Sequence, residues 1–288
     1  MQPELFNPDE HQRLRALRLA KVRLENPLLL GLATVEINPT ELCNRTCSFC
    51  PRHDPKVYPN RKLHMSVETA SLLSDQLEAA DFNGEIHITG YGEPLLYPDI
   101  LQLIQAFSDR FHVEMITNGD RLSSGQVSVE ALHQAGLKSL IVDCYDGPDQ
   151  VIAMRDLLSH SQVPWRIRNH HDTGNSDLVS LYQFNNRGGL LGTAEIKRPC
   201  FMPMYKAFID WNGDLGLCCN DWARRFKSVG NIHTTPFSDL WMSKSFVSTR
   251  QQLLKGNRSQ LEACQSCDVN GVLQGAESAK LWREVTGL

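Results

Sequence analysis

Three cysteines, Cys43, Cys47 and Cys50, fall within eight residues in a C-x3-C-x2-C spacing. Three thiolates this close serve one metal centre and withhold a fourth ligand. A closed structural zinc site takes four ligands, and a fully thiolate-bound [4Fe–4S] cluster takes four cysteines. The set therefore leaves one metal position open for a substrate or cofactor and points to a reactive iron–sulfur centre. The polar residues between the cysteines and Pro51 behind them fit a loop, which lets all three side chains turn inward. A zinc knuckle borrowing a distant fourth ligand would use the same spacing.

A second set lies late in the chain: Cys200, Cys218, Cys219, Cys264 and Cys267. A C-x17-C pair followed by C-x2-C offers four thiolates, enough to close a site completely. Structural zinc and buried free cysteines are the other readings of this set. Cys144 stands apart at a strand end, where it either faces the site as a hydrogen-atom donor or is simply buried.

The elements that must position these residues alternate. Residues 11–25 read as a surface amphipathic helix with Leu14, Leu17 and Val22 on one side. Strands are predicted at 34–38, 85–89, 112–117, 139–144, 165–168 and 179–184. Helices are predicted at 66–80, with Ser66 as N-cap and Leu72, Leu73 and Leu77 buried, and at 100–107, 129–134 and 150–158. Strands joined by helical crossovers imply a parallel sheet, open or partly closed as a barrel. Active sites of such sheets lie at the carboxyl ends of the strands, where the first cysteine loop falls. After Gly188-Gly189, residues 207–211 and 215–219 read as a hairpin around an Asn212-Gly213 turn, followed by a helix at 238–254. The expected division is a helical lead-in at 1–32, a barrel at 33–196 and a smaller domain at 197–288.

The chain has 288 residues, 41% of them hydrophobic, with 33 acids against 29 bases. That balance, without a basic tract, argues against a nucleic-acid partner. The longest apolar run, residues 27–35, is too short to span a bilayer, so no membrane partner is expected. No secretory signal is visible, and nine cysteines clustered at ligand spacings suit a reducing cytoplasm.

Two further motifs sit at strand ends: Gly90-Tyr91-Gly92-Glu93-Pro94 after the second strand and Thr117-Asn118-Gly119 after the third. Each alone is a common turn. Together and in order with the cysteine loop, they resemble the radical S-adenosylmethionine (SAM) superfamily over residues 33–185. The resemblance implies a partial (β/α)6 TIM-like barrel with a small C-terminal α+β iron–sulfur subdomain. It implies that Cys43, Cys47 and Cys50 hold a [4Fe–4S] cluster whose fourth iron chelates SAM, with Phe49 beside the adenine. Gly90, Tyr91, Gly92, Glu93 and Pro94 stand for the motif that binds the methionine amino group, with Tyr91 replacing its first glycine. Thr117, Asn118 and Gly119 complete the cofactor contacts.

Residues 209–214 leading to Cys218-Cys219, with Val229-Gly230-Asn231-Ile232 and Leu240-Trp241, resemble the SPASM or shorter "twitch" subdomain. The resemblance implies one auxiliary [4Fe–4S] cluster on Cys200, Cys218, Cys264 and Cys267, with Cys219 spare or exchanged with Cys218. The one-cluster arrangement is similar to the aminocyclitol alcohol dehydrogenase type of butirosin biosynthesis. The implied reaction is reductive cleavage of SAM to a 5′-deoxyadenosyl radical, hydrogen abstraction from a small polyol, sugar or cyclitol, and electron transfer to the auxiliary cluster. A reductant such as flavodoxin or ferredoxin is implied as partner. Modification of a ribosomal peptide, radical epimerisation served by Cys144 or Cys219, and a non-catalytic zinc or iron–sulfur carrier are the competing readings. Arg168, near the carboxyl end of the fifth strand with His170 and His171 beyond it, is a candidate to bind substrate or a proton.

Overall fold

The computed structural model describes residues 15, 17–170, 185–194 and 196–288. Strands β1 (Thr34–Ile37), β2 (Glu85–Ile88), β3 (His112–Thr117), β4 (Ser139–Cys144) and β5 (Trp165–Asn169) pair in parallel, each with the next. Helices Val67–Ala79, Ile100–Ser108, Val129–Gln134 and Pro148–Leu158 supply the crossovers. Ser66 caps the first of these, its hydroxyl accepting from the Thr69 N–H. The result is a mixed α/β partial barrel, the partly closed alternative of the parallel sheet that the alternation implies and the fold that the resemblance implies. The predicted strand at 179–184 and His171 lie outside the described residues.

The sheet does not end where the sequence suggests a new domain. Strand β6 (Lys206–Ile209) runs parallel to β1 on its free edge, with Val35 opposite Ala207 and Ile37 opposite Ile209. Strand β7 (Asp214–Gly216) turns back antiparallel through Asn212-Gly213, where Gly213 takes φ +86°. Strand β8 (Gly230–Asn231) completes the order β5-β4-β3-β2-β1-β6-β7-β8 among the described residues. The expected hairpin is therefore part of the barrel's own sheet.

Strand alternation sorts the residues by chemistry. Val35, Ile37, Ile86, Ile88, Val113, Met115 and Val142 join the apolar core, where Leu73, Leu77, Leu103 and Phe107 of the crossover helices also lie. Glu36, His87, Glu114 and Lys206 occupy alternate positions and are all buried, so the barrel interior is a polar network. The chain before β1 serves that network. Among the described residues of the predicted 11–25 helix, Arg15 and 17–19 are helical and 20–25 are not. Arg15 and Arg18 reach Glu114, the latter at 3.0 Å, and Arg18 also pairs with Glu85. Burial alone would raise Glu85, but the His87 hydrogen bond and Arg18 hold its carboxyl down at about 2.

Two helices differ from expectation. The predicted 238–254 helix is two, Phe237–Trp241 and Lys244–Leu254, because Ser243 caps the second by accepting from Phe246 N–H. An unexpected helix, Val272–Thr286, closes the chain. Its Ser278 hydroxyl donates to Gly31 O at 2.7 Å and its Trp282 indole to Met204 O at 3.1 Å.

Candidate active site

The first cysteine loop leaves β1 through Asn38, whose amide holds three segments together. Its Nδ2 donates to Glu41 and to Asp210 after β6, both at 2.8 Å, and its Oδ1 accepts Tyr91 N–H at 2.8 Å. Asn60 pins the loop at Cys43 through both of that residue's backbone groups at 2.9 Å. Cys43, Cys47 and Cys50 are half-buried and line one cavity of about 460 Å³ at the carboxyl ends of the strands. Burial, followed by the charges of Cys50 and Cys43, pushes the Cys47 thiol up to about 11. Thiols that repel one another this way ionise together only when a metal centre replaces their protons.

Glu93 joins the two strand-end motifs. Its Oε1 accepts the Thr117 hydroxyl at 2.5 Å and Leu95 N–H at 3.0 Å, and its Oε2 accepts Asn118 N–H at 2.8 Å. Burial is the larger influence and raises this carboxyl to about 7 against those donors. Asn118 Nδ2 then donates to Asn44 in the cysteine loop at 2.9 Å, so all three motifs form one hydrogen-bonded unit. Tyr91 keeps ordinary backbone with negative φ; replacing the motif's first glycine costs no strain. Its ring is buried against Trp222, Phe208 and Tyr58.

Glycine is required at position 92. A Cβ there would lie 2.2 Å from Thr40 O and 2.6 Å from Leu42 O, because the motif passes directly over the cysteine loop. Gly92→Ala is expected to force the two apart and weaken SAM binding at least tenfold, with the fold retained; equilibrium binding of SAM to the reconstituted protein checks this, and unchanged affinity would contradict it.

Phe49 forms a wall with Tyr145, whose ring is 5.4 Å away, and Tyr145 stacks on His170 at 5.0 Å. A three-thiol loop, a glycine cradle with no room for a side chain and this aromatic wall fit a [4Fe–4S] cluster with a nucleoside cofactor. Of the predicted cofactor contacts, Phe49, Gly90, Tyr91, Gly92, Glu93, Pro94, Thr117 and Asn118 line the cavity. Gly119 does not. It takes φ +76° and backs onto Val142 and Met154.

Strand period separates the two candidate catalytic residues. Asp143 and Tyr145 line the cavity, and Cys144 between them is fully buried in the core, which corrects its catalytic reading in favour of the buried one. Arg168 lines the cavity and is paired with Asp143, Nη2 to Oδ2 at 2.6 Å. His170 Nε2 is 3.2 Å from the same carboxylate. Burial is the largest influence and would raise Asp143, but Arg168 and His170 together outweigh it and hold that carboxyl at about 2.

The late cysteines gather beside this cavity. Burial, then Cys219, Cys267, Cys264 and Cys200, push the Cys218 thiol well above its ordinary value, and burial, then Cys200 and Cys267, raise the Cys264 thiol. Arg258, itself buried, ties their loops by donating to Arg198 O at 3.0 Å and Cys267 O at 2.9 Å. Cys219 turns the other way. It lines the cavity next to Glu36 and Lys206, and burial, then Glu36, raises its thiol to about 12. Gly188 and Gly189 pack against the chain itself: Cβ atoms there would meet Asn220 O at 2.4 Å and Ser266 Cβ at 2.7 Å.

Glu36, Lys206, His87, Arg15 and Arg187 also line the cavity and escaped the sequence reading. Polar residues alternating with apolar ones in β1 and β2 were the available signal for Glu36 and His87.

The sequence profile of the radical SAM superfamily matches residues 37–171, and that of the SPASM iron–sulfur cluster-binding domain matches 200–268. The chain is 28% identical over 250 residues to the S-adenosyl-L-methionine-dependent 2-deoxy-scyllo-inosamine dehydrogenase of Niallia circulans, covering 83% of this chain and 93% of that one. Among solved structures, BtrN in complex with AdoMet and 2-DOIA superposes with a TM-score of 0.68 at 25% identity, over 82% of this chain and 93% of that one. BtrN in an open conformation gives 0.60 at 23% identity, over 83% and 94%.

Proposed function

The chain belongs to the radical SAM superfamily and carries a SPASM iron–sulfur domain, and from this we propose that it oxidises a secondary alcohol of a small polyol, sugar or cyclitol by two electrons. Cys43, Cys47 and Cys50 would hold the SAM-binding [4Fe–4S] cluster, and Cys200, Cys218, Cys264 and Cys267 the auxiliary one. When bound, these groups supply homolytic removal of hydrogen from an unactivated C–H bond and a one-electron sink. The observation that carries the reading is the Cys218-Cys219 pair: one thiol faces the auxiliary set and its neighbour faces the cavity. A closed four-thiolate cluster binds no substrate through iron, yet this one would lie one residue behind the substrate wall.

The chain's own groups then bind, orient and deprotonate. Glu36 is held ionised by Lys206 Nζ at 2.8 Å against the effect of its burial, so its carboxylate is the acceptor for the hydroxyl proton. Arg168, fixed by Asp143, orients the substrate from the opposite side. Phe49, Tyr145 and Trp222 keep water from the reacting carbon. A flavodoxin or ferredoxin is the reductant we assign, and a reducing cytoplasm suits nine cysteines held as thiols. No helix among the described residues is long and apolar enough to cross a membrane.

The test is anaerobic reconstitution followed by reduction in the presence of SAM and a cyclitol panel. The expected result is about eight irons per chain, 5′-deoxyadenosine, and a ketone product formed without added oxidant. Deoxyadenosine without any ketone, or a product at the substrate's oxidation level, would overturn the oxidation.

A further inference from the structure

One basic side chain on the cavity wall, Arg187, has no acidic partner among the described residues. Among the described residues, nearly every ionisable group on that wall is matched. Arg15 pairs with Glu114, Glu36 with Lys206, Arg45 with Asp120 and Asp146, and Arg168 and His170 with Asp143. His87 lies 3.1 Å from Glu85, and Glu93 is enclosed by its three donors. Arg187 is the exception. It lines the cavity, makes no ion pair among the described residues, and its Nε is buried without a hydrogen-bond partner.

The position of this guanidinium is built. Trp222, itself buried, carries the Arg187 Cζ 5.7 Å from its ring centroid. That contact covers a face of the guanidinium and leaves the N–H edges for a ligand. The backbone of Arg187 sits at φ +51°, in the left-handed region, and its N–H is tied to Asn185 Oδ1 at 3.0 Å. Gly188 seats the segment against Asn220 O. A non-glycine residue held at positive φ inside a cavity is a common mark of a functional position.

We propose that Arg187 binds an anionic group of the substrate, a carboxylate or phosphate carried on the polyol. This rests on the alcohol-oxidation reading and names its substrate class. The arrangement suits an anion and opposes a cation. Each cavity carboxylate is already committed to a partner, so none is spare for a substrate ammonium group. An arginine fork, by contrast, takes a carboxylate or phosphate through two parallel N–H···O bonds. A free cationic aminocyclitol would meet an uncompensated positive charge on the Trp222 side of the cavity.

Binding to the reconstituted, SAM-loaded enzyme tests this by calorimetry with five probes. Glucuronate and myo-inositol 1-phosphate are the anionic polyols, glucose and myo-inositol the neutral ones, and glucosamine the cation. At least one anionic probe is expected to bind tenfold or more tightly than its neutral counterpart, with glucosamine weakest, and the better anionic probe separates a carboxylate site from a phosphate site. Arg187→Gln should erase the preference, and Arg187→Lys should keep part of it. Equal affinity across the charge classes, no binding of either anionic probe, or a preference that survives in Arg187→Gln would overturn the assignment. So would a Gln variant that loses as much affinity for SAM as for the anionic probe, since the guanidinium would then serve the cofactor's carboxylate. The wild-type comparison stands even if a variant fails to fold. Deoxyadenosine formation, measured separately, shows whether the radical reading itself holds when the anion preference does not.

Discussion

Cys218→Ala is expected to strip the reconstituted protein of roughly four of its eight irons and to abolish ketone formation, while deoxyadenosine is still produced. Cys219→Ala is expected to keep the full iron count. The contrast follows from orientation alone. The Cys218 thiol is raised by Cys219 and also by Cys267, Cys264 and Cys200, whereas Cys219 lines the cavity and is raised by Glu36. Adjacent thiols of the same type would then take opposite duties, one at the auxiliary cluster and one on the substrate wall. Iron and sulfide analysis beside product assays decides it. Equal iron loss in the two variants, or loss only in Cys219→Ala, would reverse the ligand assignment.

The second large effect concerns stability. Arg250 is fully buried without an acidic partner, and burial lowers its pKa well below the ordinary value. The guanidinium is enclosed by the faces of Trp241, Phe246 and Trp282, at 3.9, 3.9 and 4.2 Å. It donates to Pro203 O at 2.8 Å and Trp241 O at 2.6 Å. It therefore links the strand-leading segment before β6 with both C-terminal helices. Arg250→Ala opens a cavity among three aromatic rings and leaves two carbonyls unmet, which together cost about 3–5 kcal/mol. The expected fall in melting temperature is roughly 10 °C. Arg250→Met fills the space but not the carbonyls and should lose about 1–3 kcal/mol. An Ala variant that melts within 2 °C or so of the parent would show that burying the charge cancels its contacts.

Much of the site was legible because its chemistry demands rare residues at fixed spacing. Three cysteines, Gly92-Glu93-Pro94 and Thr117-Asn118-Gly119 each follow a strand, and local β-propensity located those strands to within a residue or two. What stayed hidden was non-local or disguised. The pairing of β6 beside β1 leaves no periodic trace in either segment. The Val272–Thr286 helix buries Gly275, Ser278 and Ala279 above Trp282, so its inner face is small rather than apolar. A Cβ on Gly275 would meet Tyr205 and Phe201 at under 3 Å, which is why the face must be small. Cys144 and Cys219 needed the geometry itself, since a single step in strand or turn decides whether a side chain meets core or cavity. Arg187 sits in a stretch whose asparagines and glycines read only as loop.

The sheet order also bears on how the chain comes off the ribosome. Glu36 and its partner Lys206 are separated by 170 residues, and β1 has β2 on one side and β6 on the other. At roughly 5–20 residues per second, β1 waits on the order of 10–30 s for its second neighbour to be synthesised. During that interval the nascent barrel exposes an apolar strand edge, so chaperone demand should concentrate there rather than after release. For the same reason, the iron–sulfur region cannot be grafted onto another barrel or removed as a cassette, because its first strand completes the barrel's own wall.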